Sequence, residues 1–165
     1  MTKVVCNASP IIGLSKLGLL NILYDMFEVY VTKEVYNEIV VGKEDNATGK
    51  EELIDAVENG RIKIYEVKDK DLVNKLYGHL HKGEIETVIA AREMDITYVI
   101  IDERSARSFA KTFFLKPIGI LGVLQRAKEL DKVKRLKPLL DELIANNFRI
   151  SKKLYAELLK SVDEE

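Results

Sequence analysis

The chain has 165 residues, of which 47% are apolar and 32% are charged, and its formal net charge is −1. This length and composition predict one globular domain and exclude a disordered chain. The balanced charge also excludes a protein that grips nucleic acid over a broadly basic surface, so any such contact has to be local.

The number of cysteines and the first residues of the sequence indicate the cellular compartment in which we expect the protein. Cys6 is the only cysteine, which excludes a disulfide framework and a thiolate metal cluster. His79 and His81 cannot form a zinc site unaided. The opening MTKVVCNASP lacks the apolar core of a signal peptide, and no apolar run approaches the roughly 20 residues that span a bilayer. We therefore expect a cytoplasmic protein without a membrane segment, and the single glutamine among many Lys, Glu and Ile residues suggests a hot habitat.

Short apolar runs typical of strands alternate with longer stretches at helical spacing. In chain order, the sequence predicts a strand at 4–6, a helical stretch divided at Gly18, a strand at 28–31, a helix carrying Val35, Ile39 and Val40, a polar loop at 42–50, a helix near 51–58, a strand at 62–67, helices near 69–77 and 83–94, a strand at 97–101, and helices at 104–113, 120–130, 135–146 and 151–162. Ser9, Thr32 and Ser151 are predicted N-caps. Strands alternating with helices indicate a three-layer α/β fold with a mainly parallel central sheet.

Polar residues directly follow two of the apolar strands. Asn7 follows the strand at 4–6, and Asp102 follows the strand at 97–101. Since functional groups of a parallel sheet collect beyond the carboxyl ends of its strands, we predict that these strands are adjacent and that Asn7 and Asp102 lie side by side. Helices returning to this edge can add the carboxylates of Glu38, Glu84 and Glu86. Clustered acids repel one another unless a divalent cation neutralises them, and Mg²⁺ and Mn²⁺ prefer such oxygen ligands.

Several phrases of the sequence occur in a characteristic order. They are VVCNASPIIGLSKLG at 4–18, VYNEIV at 35–40, KGEIETVIAARE at 82–93, VIIDERSAR at 99–107, PIGILGVLQRAK at 117–128 and KPLLDELIANNFRISKKLYAELL at 137–159. Together they resemble the PIN-domain superfamily, and in particular a prokaryotic VapC-like branch. The resemblance spans essentially the whole chain.

This resemblance implies both a fold and an activity. The fold is a PIN-like α/β/α sandwich formed by residues 1–165, in which 135–165 are a C-terminal helical extension. The activity is that of a hydrolase that binds Mg²⁺ or Mn²⁺ and cuts the phosphodiester bonds of single-stranded RNA. Such proteins are toxins of toxin–antitoxin pairs, each silenced by a small antitoxin protein, and they are frequently homodimers.

The family's acidic set can be carried over position by position. Asn7 stands where most of the superfamily has Asp, Glu38 is the helix glutamate, and Asp102 is the acid that closes the fourth strand. Asn7 is a departure from the family pattern. Its amide oxygen can ligate a metal ion but brings no charge and cannot act as a base, so metal binding should be weaker than with Asp.

The third acid of the family set has two candidates on one helix. Glu86 matches it, because E-T-V-I-A-A at 86–91 follows the family pattern, and Glu84 lies close by. Residues two apart on a helix are separated by about 200° of rotation about its axis, so the two glutamates should have different roles. Glu86 is therefore expected in the metal set, with Glu84 supporting the site or capping the helix near Gly83.

Three further residues are expected to contact substrate. Arg104 and Arg107 lie three apart, on one helix face beside Asp102, and could hold a phosphate between them. Alternatively, they form salt bridges to neighbouring acids. Ser9, two residues after Asn7, is the third expected contact.

Each candidate also has a purely structural interpretation. Asp102 can cap the helix that begins near Arg104, Asn7 can satisfy backbone donors of the 7–10 turn, and Glu38 can lie on a solvated helix face.

Three functions therefore stay open: the metal-dependent endoribonuclease, a non-catalytic PIN-like module that binds RNA or protein, and an unrelated doubly wound enzyme. The last is disfavoured, because the sequence contains no G-x-G-x-x-G, no G-x-x-x-x-G-K-[ST] and no Asp-x-Asp after the first strand.

Overall fold

The structure is a computed structural model that describes residues 1–42 and 48–164. Residues 43–47, within the polar loop predicted at 42–50, lie outside the described residues, as does residue 165. In the described ranges the strands are β1 (Lys3–Cys6), β2 (Glu28–Thr32), β3 (Ile62–Tyr65), β4 (Tyr98–Ile100) and β5 (Lys116–Ile118). The helices are α1 (Ala8–Lys16), α2 (Leu20–Met26), α3 (Lys33–Val40), α4 (Lys50–Glu58), α5 (Lys70–Leu76), α6 (Lys82–Glu93), α7 (Arg104–Thr112), α8 (Ile120–Glu129), α9 (Lys137–Ala145) and α10 (Lys152–Ser161).

All five strands form one parallel sheet in the order β3-β2-β1-β4-β5. Successive strand residues face opposite sides of the sheet. Val4 and Cys6 of β1 therefore belong to one apolar core, whereas Val5 belongs to the other. Helices cover both faces, since α1, α3 and α8 pack into the first core and α6 and α7 into the second. The predicted three-layer α/β/α sandwich is confirmed.

Local sequence signals account for several helix boundaries. Gly18 adopts a left-handed conformation, with φ of 67°, between the end of α1 and the start of α2. The predicted caps Thr32 and Ser151 are confirmed, because their hydroxyls accept hydrogen bonds from the backbone N–H groups three residues further on. The prediction for Ser9 is wrong: α1 already begins at Ala8, so Asn7 occupies the N-cap position, and Ser9 lies inside the first turn.

Two strand predictions differ from the structure. The third strand ends at Tyr65 rather than at residue 67, although Val67 is still buried. The strand β5, whose three residues include Pro117, was not among the predicted elements. Proline cannot donate a ladder hydrogen bond, but β5 lies at the edge of the sheet, where this loss is tolerated.

The C-terminal helices pack on the first core. Leu140 and Leu143 of α9 and Leu158 and Leu159 of α10 are buried there with residues of β1 and α8. The expectation that 135–165 form an extension to the domain stays a prediction. Over the ranges 1–42 and 48–164, no helix combines the length and the apolar character needed to cross a bilayer.

Candidate functional site

The carboxyl ends of β1 and β4 lie next to each other in the middle of the sheet. Cys6 stands opposite Ile100 in the parallel register, and the backbone N–H of Asn7 donates a 2.9 Å hydrogen bond to the carbonyl of Ile100. The predicted adjacency of these two strands is therefore confirmed. It brings the chain at Asn7 and the chain at Asp102 to the same edge of the sheet.

Beside this edge lies a cavity of about 350 Å³, which we call the acidic pocket. Its lining residues come from the starts of α1, α6 and α7 and from α3: Asn7, Ala8, Ser9, Glu38, His79, Leu80, His81, Glu84, Glu103 and Ser105. Three of the predicted metal ligands, Asn7, Glu38 and Glu84, thus share one cavity with the predicted substrate contact Ser9.

The first turn of α6 forms one wall of the acidic pocket. Glu84 is only 6% exposed, and its Oε1 accepts a 3.0 Å hydrogen bond from the backbone N–H of His81, so it caps the helix as one interpretation expected. Because Gly83 has no side chain, other side chains can approach the backbone of α6 closely at this point. A Cβ on Gly83 would lie 2.7 Å from Oε2 of Glu38 and 3.8 Å from Oδ1 of Asn7. Both oxygens therefore approach the backbone of α6 from the same side.

The charges around Glu38 favour a cation. Burial raises the pKa of Glu38, and the negative charges of Glu34 and Glu84 raise it further, while His81 opposes this shift. The ionised carboxylate is thus destabilised by its own neighbours. A divalent cation in the pocket would relieve that repulsion.

Asp102 does not line the acidic pocket: it lies between β4 and α7 and lines a second cavity. Its Oδ1 accepts a 2.6 Å hydrogen bond from the backbone N–H of Ile120, whereas its Oδ2 is buried and has no hydrogen-bond partner among the described residues. Burial raises the pKa of Asp102, and the Ile120 hydrogen bond and the charge of Arg107 oppose the shift. Asp102 therefore caps α8, not the helix that begins at Arg104, and keeps one oxygen free.

The structure does not bring Glu86 to the acidic pocket. Glu86 is 1% exposed, its Oε1 has no hydrogen-bond partner within the described ranges, and the nearest cation is Lys70 at 3.9 Å. Burial raises the pKa of Glu86. The angular separation of residues two apart on a helix explains this placement: Glu84 faces the pocket, so Glu86 faces away from it.

The two arginines are not brought together. Arg107 lies beside Asp102, since a Cβ on Gly119 would be 2.9 Å from Nη1 of Arg107 and 3.2 Å from Oδ1 of Asp102. Arg104 is exposed and lines neither the acidic pocket nor the cavity that contains Asp102. The expected phosphate clamp of Arg104 and Arg107 therefore does not form in this structure.

Comparison with protein families decides the identity of the fold. The family model DUF3368, described as a PIN domain, matches residues 3–164. The chain belongs to this PIN-domain family. Comparisons with the curated proteins and with the solved structures found no match. PIN domains are generally nucleases, and the family typically uses divalent metal ions.

The oxygen atoms of this PIN domain fit a hard divalent cation. Asn7, Glu38 and Glu84 present an amide and two carboxylates to the acidic pocket, and Oδ2 of Asp102, outside that pocket, is a buried acceptor with no donor in the ranges 1–42 and 48–164. Over the part of the chain that the structure describes, no three His, Cys, Asp or Glu side chains are grouped closely enough to hold a metal ion. A cation here would therefore need the neutral oxygen of Asn7.

The sequence analysis missed four polar residues of the pocket wall. His79, His81, Glu103 and Ser105 all line the acidic pocket, although none of them was predicted to belong to the site. A usable signal was present, because His81 immediately precedes the helix that carries Glu84. Residues at helix starts on the carboxyl edge of a parallel sheet face the crevice.

Proposed function

We propose that this PIN domain is a Mg²⁺- or Mn²⁺-dependent endoribonuclease that hydrolyses single-stranded RNA. The observation that supports it best is the acidic pocket, in which Asn7, Glu38 and Glu84 meet at the carboxyl edge of the sheet. Pockets at this edge are where parallel α/β folds bind their ligands. The polar lining and exposed Ser9 suit a charged, hydrated substrate.

In this proposal, Asn7, Glu38 and Glu84 would hold the metal ion in the acidic pocket, and Asp102, which lines a second cavity, would have to approach them to join the ligand set. A bound divalent ion lowers the pKa of water and stabilises the charge that develops on phosphate oxygens. Glu38 is the carboxylate best suited to exchange a proton with water, because it is exposed to solvent and its pKa is raised. Glu84, fixed by its bond to the N–H of His81, supplies a rigid oxygen.

The biological setting is proposed from the resemblance to the VapC-like branch. It would make the protein the toxin of a toxin–antitoxin pair in the cytoplasm, silenced by a small antitoxin protein and paired as a homodimer in the manner of that branch. The net charge of −1 supports local rather than general contact with RNA. The hot habitat suggested by the composition stays a prediction.

A non-catalytic module is the second candidate, and one observation favours it. Asn7 brings no charge to the position where an Asp is expected, and the described residues contain no group of three charged or thiol ligands. Such a domain would bind RNA or a protein at the acidic pocket without cutting. Divalent metal would then change neither its stability nor its activity.

One experiment separates these two candidates. Purified protein is incubated with a mixed pool of single-stranded RNA in Mn²⁺, in Mg²⁺ and in chelator, beside Asp102→Asn protein purified in the same way. The proposal expects cleavage that requires metal and is lost in the variant. Equal cleavage by both proteins would identify a contaminant, and no cleavage together with a melting temperature unaffected by Mn²⁺ would favour the non-catalytic module.

A further inference from the structure

A second cavity, of about 560 Å³, has Asp102 in its lining and none of the residues of the acidic pocket. We call it the arginine cavity. Its lining includes Asp102 and Arg107, together with Arg149, Ile150 and Leu154 from the C-terminal segment. Its volume falls in the range of about 300–1,000 Å³ that is typical of small-molecule sites.

The described residues that line the arginine cavity carry a net positive charge. None of the ion pairs formed within residues 1–42 and 48–164 involves Arg107 or Arg149. Asp102 is the one acid among the described lining residues, and the N–H of Ile120 already occupies its Oδ1. Two arginines with a single acid between them give the lining a net positive charge that favours an anion, and guanidinium groups match phosphate oxygens in pairs.

Most of the remaining lining of the cavity is apolar, and part of it is exposed. Leu154 is 39% exposed although it is a large hydrophobic residue, and Ile118 and Ile150 are half-buried beside it. Phe148 packs against α1, since a Cβ on Gly13 would lie 2.7 Å from its Cζ. A ligand that combines a phosphate with a flat apolar group therefore matches the composition of this lining.

We propose that the arginine cavity binds one nucleotide of the RNA strand, next to the phosphate that is cut. Arg107 and Arg149 hold its phosphodiester group, and Ile150 and Leu154 contact its base. This inference rests on the proposed function, because Asp102 forms the wall of this cavity and is also a proposed metal ligand. It assigns a direction to the strand's path, from the acidic pocket past Asp102 towards α10.

Binding without cleavage tests the assignment. Fluorescence anisotropy measures the affinity of a 5′-labelled RNA hexamer in chelator at low salt, for the wild type, Arg149→Gln, Arg107→Gln and Leu154→Asp. Each arginine variant should bind about fivefold more weakly and lower the slope of log K against log salt by about 0.7, as for one lost contact to a single strand. Leu154→Asp should bind more weakly still, because it adds an anion to the partly exposed wall. Lys153→Gln is the matched control: it removes one exposed charge from α10 outside the cavity and should bind like the wild type.

Each result has a definite meaning. If Arg149→Gln and Arg107→Gln bind like Lys153→Gln, the assignment is overturned, even if metal-dependent cleavage is observed. If the arginine variants lose affinity while Mn²⁺ produces no cleavage, the nucleotide site stands and the hydrolytic function fails. Free 5′-AMP that binds as tightly as the hexamer would overturn the assignment to an RNA strand. So would a hexamer that does not bind at all while an acidic peptide does.

Discussion

The carboxylate of Asp102 accepts a hydrogen bond of 2.6 Å from the backbone N–H of Ile120, while its other oxygen is buried without a partner among the described residues. One oxygen therefore caps α8, and the other is available to a cation. A buried carboxylate oxygen without a donor costs free energy in the absence of metal. Substitutions that keep or remove the capping oxygen can separate these two roles.

Asp102→Asn should stabilise the metal-free protein at neutral pH. Burial raises the pKa of Asp102 in the folded state, so the fold binds this proton more tightly than the unfolded chain does. The contribution of Asp102 to the free energy of unfolding is thus greatest at acid pH and decreases as the pH rises from about 3.9, its unfolded pKa, through the raised folded value. Asp102→Asn protein should not show this decrease. Melting temperatures from pH 3 to 8 in chelator measure it, and curves that run parallel for both proteins would contradict the prediction.

Asp102→Ala provides the contrast, because it removes the cap as well as the charge. It should destabilise the protein by about 1 kcal/mol relative to Asp102→Asn, the usual cost of a lost N-terminal cap. Urea unfolding in chelator gives both free energies. If the alanine variant is as stable as the asparagine variant, the hydrogen bond to Ile120 contributes nothing to the fold.

Glu84→Gln and Glu86→Gln form a matched pair on one helix. Glu84 lines the acidic pocket, whereas Glu86 lies near Lys70. Glu84→Gln should weaken Mn²⁺ binding about tenfold, since it removes a charge from the pocket but keeps an acceptor for the N–H of His81. Glu86→Gln should leave Mn²⁺ binding unchanged. Calorimetric titration with Mn²⁺ decides between them, and the reverse order would return Glu86 to the metal set.

The pattern of apolar strands was enough to predict the fold class and the centre of the sheet. Apolar runs at 4–6 and 97–101 that end in Asn7 and Asp102 were enough to predict two adjacent central strands, because buried parallel strands have no polar face. The strand β5 could not be predicted from the sequence, because three residues with a central proline show no periodic pattern of apolar residues. Its edge position is a property of the assembled sheet and not of the local sequence.

The site was predictable only as a set of residue types. Which of Glu84 and Glu86 enters the pocket depends on the rotation of α6 about its axis, which packing of Ile85, Val88 and Ile89 into the second core determines. The arginine cavity was unpredictable for a similar reason. Arg107 and Arg149 are 42 positions apart in sequence, and they line the same cavity because the C-terminal segment packs beside α8.

Gly83→Ala should weaken metal binding without unfolding the protein. An alanine Cβ would lie 2.7 Å from Oε2 of Glu38, which is the end of a flexible, exposed side chain and can move away. Alanine also favours the helix by about 1 kcal/mol over glycine. We expect unchanged or higher stability in chelator and a smaller rise in melting temperature with Mn²⁺. In the double variant with Glu38→Gln, the two losses should not add, because both act through the same carboxylate; additive losses would place the effect elsewhere.

Asn7→Asp should change stability in opposite directions with and without metal. Asn7 is 6% exposed, and its Oδ1 lies on the same side of Gly83 as the carboxylate of Glu38. In chelator, the new carboxylate adds a buried anion beside Glu38 and Glu84, so the melting temperature should fall. In Mn²⁺, the added charge should strengthen binding by about 1 kcal/mol or more at effective dielectrics near 20, so the variant should gain more from the metal than the wild type does. Asp caps helices about as well as Asn, so a role confined to the start of α1 would shift both melting curves equally. Such an equal shift would remove Asn7 from the metal site and leave Glu38, Glu84 and Asp102 to be tested as ligands without it.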